Sequence, residues 1–270
     1  MLRLWPERFV ASLSPAGVPL AHLASGGGPG DAEHWSAPCA DAGTREPWRP
    51  QLEALSTELA RRKSRRLRCR VVLSNHYVRF QVVPWHDTMQ SGHDRARLAR
   101  AQYRSVFGEV AEDWEICLET TAYGMPVLAC AVERALLSAL GAIAARAHID
   151  SVEPHAAAAF NRWRRELPAE HFRLAVLEPG RLWLGQAEKG GWVSVAARLL
   201  AGRDAVSEVL SCIEQETAAS PAELPVYLVT TGLDRMGARR LSDAGLRVLT
   251  GDRGITHAEA APRTREPAGH

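Results

Sequence analysis

Two stretches of this 270-residue chain, 173 positions apart, can be written one beneath the other. Leu4, Pro6, Arg8 and Gly17 fall on Leu177, Pro179, Arg181 and Gly190, and Phe9-Val10-Ala11 falls on Leu182-Trp183-Leu184. In both, apolar residues alternate with polar ones, break at proline or glycine and resume, the pattern of three short strands joined by tight turns. A β-meander is common by itself. The stronger constraint is that each copy opens a segment in which strands alternate with helices. Two such openings predict a duplicated α/β chain of two halves, each built on a mixed sheet.

The halves are expected at 2–153 and 154–251. In the first, LRLW, RFVASLS and VPLAHLA read as strands, and the Gly-, Pro-, Ser- and Asp-rich segment 25–50 reads as a flexible loop. Leu52, Leu55 and Leu59 have helical spacing. RVVLSN and YVRFQVV read as strands closing at Pro84-Trp85. A helix is expected from His93 to Phe107, a strand at Trp114, a long helix from Val132 to Ala147 and another beginning near Pro154. After the second meander come a helix in VSEVLSCIEQETAA, a buried strand in VYLVTTG, a short helix in RMGARRLSDAG and a last strand in LRVLTG. Segment 252–270 lacks apolar periodicity and reads as a disordered tail.

Three features in this order resemble the actin/hexokinase/chaperone-ATPase superfamily. They are the paired meanders, the run Glu153-Pro154-His155-Ala156-Ala157-Ala158, which resembles the Glu-Pro-x-Ala-Ala-Ala signature of the inter-lobe helix, and Val226–Gly232, which resembles the strand leading into the adenosine glycine turn. Val71–Trp85, a strand pair ending at proline, is similar to the pilus-assembly and secretion branch, the PilM-type proteins and the cytoplasmic domains of GspL-type proteins. The resemblance spans about residues 2 to 251. It implies a bilobal actin-like (ribonuclease H-like) fold with mixed sheets.

It also implies where nucleotide would sit. Each lobe of an active member holds phosphate in its first turn, usually Asp-x-Gly, and the first-lobe aspartate helps hold magnesium. The matching first turn here reads as Trp5-Pro6-Glu7, which offers neither aspartate nor glycine. In the second, Glu178 stands for the aspartate and Gly180 keeps the small residue, but Pro179 removes a backbone donor. Thr231-Gly232 keeps one glycine where active members often have two. The vestigial nucleotide candidates are therefore Glu178, Gly180, Glu153, Thr231 and Gly232. The favoured reading is a degenerate, non-catalytic site with no cofactor, against weak Mg-ATP binding or an ATPase or sugar kinase using Glu178 and Glu153 around magnesium.

By the same resemblance the chain would serve as a cytoplasmic scaffold, peripheral at most to the inner membrane, holding a peptide of a single-span inner-membrane partner. Arg79 and Trp85 are the candidate contacts, and a homo-oligomer stays open. The basic run Arg61–Arg70 could instead meet nucleic acid or an anionic membrane. A helix end entering a half-solvated strand is the plainer account, because the formal charge is only +2 and no nucleic-acid motif is present.

Gly26–Gly30 lacks the lysine of a phosphate loop. His86, Asp87, His93 and Asp94 fit no standard metal spacing. Ser74-Asn75-His76 reads as a strand turn rather than a nucleophile with its base. Trp114, Trp163, Trp183 and Trp192 fall on apolar faces and are expected in the core. Five cysteines without a C-x-x-C pair argue against a disulfide framework or zinc site. No signal-peptide core opens the sequence, and no apolar run approaches the roughly 20 residues of a bilayer span.

Overall fold

The computed structural model describes residues 7–23, 34–37, 46–61, 67–87, 91–144, 147–202, 204–218, 224–230 and 233–249. Trp5-Pro6, Gly26–Gly30, the centre of the basic run, Thr231-Gly232 and segment 252–270 lie outside them.

Two five-stranded sheets share one topology. The first is built from β1 (Glu7–Leu13), β2 (Val18–Leu23), β3 (His34–Ala37), β4 (Leu67–Leu73) and a later strand, β8 (His148–Pro154), in the order β3-β2-β1-β4-β8. The second is built from β9 (His171–Glu178), β10 (Arg181–Glu188), β11 (Gly191–Leu199), β12 (Val226–Thr230) and β13 (Arg247–Leu249), in the order β11-β10-β9-β12-β13. In both, an antiparallel meander continues through its first strand into parallel strands.

The duplication is therefore real, but its register differs from the one read in the sequence. Strand pairing makes β1 the counterpart of β9, whereas the offset of 173 laid β1 on β10. Ser14 pairs Gly17 across Pro15-Ala16, and Glu178 pairs Arg181 across Pro179-Gly180. Leu13-Ser14-Pro15 thus matches Leu177-Glu178-Pro179. Successive hairpins of a meander look alike in sequence, so a slip by one strand preserves the alternation. Parallel pairing to β4 and β12 removes the ambiguity.

A third sheet, in the order β5-β7-β6, is built from β5 (Val78–Val83), β6 (Trp114–Leu118) and β7 (Val127–Glu133). Helix α2 (Gly92–Phe107) covers it, begun by a capping box in which the Ser91 hydroxyl accepts from the Asp94 amide and the Asp94 carboxylate accepts from the Ser91 amide. Tyr103 on α2 is fully buried, and its hydroxyl lies 2.9 Å from the Arg79 carbonyl and 3.0 Å from the Ala129 carbonyl.

Two expectations change here. Val132 and Glu133 belong to β7, and helix α3 is the shorter Arg134–Ile143. A short run such as Val-Leu-Ala-Cys-Ala-Val suits strand or helix, and pairing on both sides to β5 and β6 makes it a strand. Segment 25–50 is not loop throughout either: His34–Ala37 pairs with β2, and helix α1 (Arg49–Arg61) begins inside the segment.

The cores follow from the alternation. Phe9, Ala11, Leu13, Cys69, Val71 and Leu73 pack against α1 and α3. In the second sheet, Ala175, Leu177, Leu182, Leu184 and Leu228 pack under α5 (Ala205–Ala218) and α6 (Arg235–Asp243). Between the sheets runs α4 (His155–Trp163): Ala158 meets Val10 and Val72 of the first sheet, while Ala156 and Ala159 join the second sheet's core. Methyl side chains let two sheets approach one helix from opposite sides, which explains the alanine run. Trp114, Trp183 and Trp192 are buried as expected, and Trp163 is half-buried against the same core. Gly185 is required there, because a Cβ would lie 2.5 Å from the Trp183 ring and 2.6 Å from that of Trp192.

Candidate functional site

The parallel strands bring their carboxyl ends together where the halves meet. Leu73 ends β4, Pro154 ends β8 beside it, and Glu178 ends β9 opposite. In open α/β sheets this edge is where ligands bind. Here it is filled by protein groups.

Glu178 is 3% exposed. Its carboxylate accepts a hydrogen bond from the Ser74 hydroxyl, the Asn75 backbone N–H lies 3.1 Å from each of its oxygens, and His155 Nδ1 lies 2.6 Å from Oε1. Burial alone would push this carboxyl up. The His155 hydrogen bond and charge, with Ser74 and the Asn75 amide, more than reverse the effect and hold it below the ordinary value.

Asn75 has a second task. Helix α4 starts after Pro154 without a side-chain cap of its own, and the Ala156 N–H donates to Asn75 Oδ1 at 3.1 Å. An orphan amide of the helix is thus satisfied from the turn after β4. His76 extends the junction, with Nε2 3.0 Å from the Pro179 carbonyl. Its pKa is lowered, by burial first and then by Arg181 and Arg79, against the opposing pull of that carbonyl and of Glu178. Gly180 sits at φ 74°, so the turn needs glycine for its backbone and not for space.

The other nucleotide candidates are placed differently. Glu153 forms an ion pair with Arg70 of β4. Thr231 and Gly232 lie outside the described residues, although β12, which precedes them, ends at Thr230 beside Leu177. The first-half counterpart of that turn is Ser74-Asn75, because Leu13 pairs Leu73 as Leu177 pairs Thr230. The counterpart of Glu178 is Ser14, not a residue of Trp5-Pro6-Glu7, and its hydroxyl donates to the Gly17 carbonyl within its own turn.

Magnesium triphosphate needs a carboxylate with open coordination positions and backbone N–H groups around the phosphates. Both Glu178 oxygens are taken, Pro179 has no N–H, and Ser14 supplies no carboxylate. These residues do not fit the group. Among the described residues no set of three or more His, Cys, Asp and Glu side chains is placed to hold a metal ion.

The partner candidates separate. Arg79 lines a pocket of roughly 60 Å³ with Trp48, His76, Trp114, Glu133 and Leu136. Its guanidinium donates to the His76 carbonyl at 2.9 Å, and Trp48 Nε1 donates to Glu133 Oε2 at 2.9 Å. Trp85 lies past the other end of β5, about 20 Å away at strand rise. It is half-buried, edge-on to Tyr123 at 4.5 Å, with the Arg95 guanidinium 4.9 Å from its ring. Tyr123, 78% exposed, presents the open aromatic surface there.

Sequence reasoning found Glu178 but missed its partners, since Ser74-Asn75-His76 read as a turn and His155 as a variable position in a signature. The available signal was a polar triplet directly after the apolar run Val71-Val72-Leu73.

No family model matches the chain, and no curated protein matches it. Solved structures do. Over 90% of this chain and 87% of the other, it is similar to the PilM-PilN type IV pilus biogenesis complex, with 16% identity and a TM-score of 0.61. The cytoplasmic domain of EpsL, an inner-membrane component of the type II secretion system of Vibrio cholerae, matches over 84% of each chain at 15% identity and a TM-score of 0.54. A Bacteroides thetaiotaomicron protein with actin-like ATPase fold matches over 92% of each chain at 10% identity and 0.56. At these identities the likeness establishes the fold, which is actin-like, as the resemblance implied. Among the described residues no helix is long and apolar enough to cross a membrane.

Proposed function

We propose that this chain is a non-catalytic actin-like scaffold on the cytoplasmic face of the inner membrane. In this reading it docks a peptide segment of a single-span membrane partner within a pilus or secretion assembly. One observation carries it: the residue that would organise phosphate chemistry, Glu178, has both oxygens committed to Ser74, Asn75 and His155. A carboxylate so saturated holds two halves in register and leaves metal chemistry without a ligand. The names of two similar structures, a PilM-PilN complex and a domain of an inner-membrane secretion component, support the assembly context.

The pocket at Arg79 is the docking point in this reading. Roughly 60 Å³ is far below the several hundred a nucleotide needs, and suits one small apolar side chain. Arg79 and Glu133 flank it with opposite charges, which sets the direction of a bound peptide.

Two measurements test the proposal. Titration with Mg-ATP is expected to give no saturable heat and no steady phosphate release; micromolar binding with turnover would replace the scaffold reading by the enzyme. A photo-crosslinker at Arg79 in the native host is expected to capture the cytoplasmic segment of a single-span membrane protein, while one at exposed Lys189 does not. Equal capture at both positions would remove the docking site.

A further inference from the structure

Cys117 and Cys130 are direct partners across the antiparallel pair β6–β7. Cys117 is exposed on β6, the outer strand of its sheet, and Cys130 is half-buried on the central strand. The Glu119 N–H donates to the Leu128 carbonyl at 2.9 Å, which makes Glu119 and Leu128 a hydrogen-bonded pair of the ladder. Two residues along, Cys117 and Cys130 form a pair of the same kind, with Cα atoms about 5.5 Å apart. Disulfides commonly span about 4.4–6.8 Å between Cα atoms, and this separation lies within that range.

We propose that Cys117 and Cys130 are a thiol–disulfide exchange site that takes small-molecule disulfides and closes into a cross-strand disulfide. The Cys117 thiolate attacks one sulfur of the small disulfide, whose S–S bond breaks and releases one thiolate. Cys130 then gives up its proton and attacks Cys117 Sγ in the mixed disulfide, expelling the second thiolate. The protein loses two hydrogens and the small disulfide becomes two thiols.

The surroundings divide these roles. A hydrogen bond from Cys130 lowers the Cys117 thiol to about 7, against burial and the nearby Glu115, which both raise it. Cys130 is raised by the same interaction and by burial. An exposed thiol with thiolate character is the attacking group, and its protonated, sheltered neighbour the resolving one. The other described cysteines differ: burial foremost pushes Cys69 up to about 12 and also raises Cys212. The pair lies on the sheet face away from α2. There its neighbour Phe80, opposite Cys130 on β5, packs edge-on to Trp183 at 5.5 Å. Closing the bond therefore pins an outer strand to one already anchored in the molecule.

Oxidised glutathione added to the full chain at pH 7 tests this. No lysine or arginine lies between the two cysteines, so trypsin leaves both in peptide 105–134. After alkylation that peptide is expected lighter by two hydrogens than its reduced form and unalkylated. Cys117→Ser and Cys130→Ser should each abolish the closed form, and Cys130→Ser should stop at a single glutathione adduct on Cys117. In the untreated protein, Cys117 should be alkylated roughly fivefold faster than Cys212, the gain in thiolate being partly offset by lower nucleophilicity. A wild-type adduct that persists on Cys117, or a peptide doubly alkylated after treatment, would overturn the proposal.

Discussion

The hairpin turns of the two halves differ in where their first polar residue reaches. Both are two-residue turns with proline first, at matching places in matching sheets. Ser14 closes on its own turn through the Gly17 carbonyl. Glu178 leaves its turn and is gripped by a strand end and a helix start more than a hundred and some twenty residues earlier, respectively. Hairpins at one place in the fold thus serve a local closure in one half and a junction in the other. At that position one half carries a serine bonded within its own turn and the other a carboxylate held by Ser74, Asn75 and His155.

The largest expected effect separates these two residues. Glu178→Ala leaves the Ser74 hydroxyl, an amide and a buried imidazole without their acceptor and should cost about 3–5 kcal/mol. Ser14→Ala loses a single neutral hydrogen bond and should cost about 1 kcal/mol. Urea unfolding of both variants reads the difference; similar costs would mean that the junction is no more stabilising than the local turn.

Next come the second residues of the turns. Gly180→Ala places a Cβ at φ 74° and should cost about 1–2 kcal/mol although space is available. Ala16→Gly should cost less than about 1 kcal/mol, mostly by loosening the unfolded chain. Gly180 has positive φ and Ala16 does not, so thermal melts that reverse this order would show that this difference in turn backbone does not set the cost.

The smallest effect is in acid. The Glu178 carboxyl has its folded pKa below the unfolded value, so its contribution is complete above about pH 4.5 and lost as pH falls through the folded value. His76, also lowered on folding, is protonated first in the unfolded chain, so stability declines below about pH 6.5. Stability followed against pH should fall in two stages. His76→Gln should remove the upper stage and Glu178→Gln the lower. No such changes in Ser14→Ala would confine acid sensitivity to the junction.

Much of this frame was legible in the chain. Alternation in Phe172–Arg198 gave the second meander, the spacing of Leu52, Leu55 and Leu59 gave α1, and the alanines after Pro154 gave the helix between the sheets. Glu178 was legible as the altered position. Its partners were not, since nothing local ties Ser74 or His155 to a residue so far along the chain. β7 was missed because its short apolar run declares no period until both neighbours pair with it. Arg79 and Trp85 looked close because few residues separate them, yet strand rise puts them at opposite ends of β5.

By itself the sequence determined that the chain is duplicated and which segments alternate and therefore bury a face. Alternation and turn chemistry act over a few residues, so they can be read locally. Tertiary structure decided which hairpin corresponds to which, because a meander shifted by one strand keeps its alternation and changes only its parallel neighbours. It also decided what the lone acidic turn residue does, since a buried carboxylate takes its meaning from the donors that surround it.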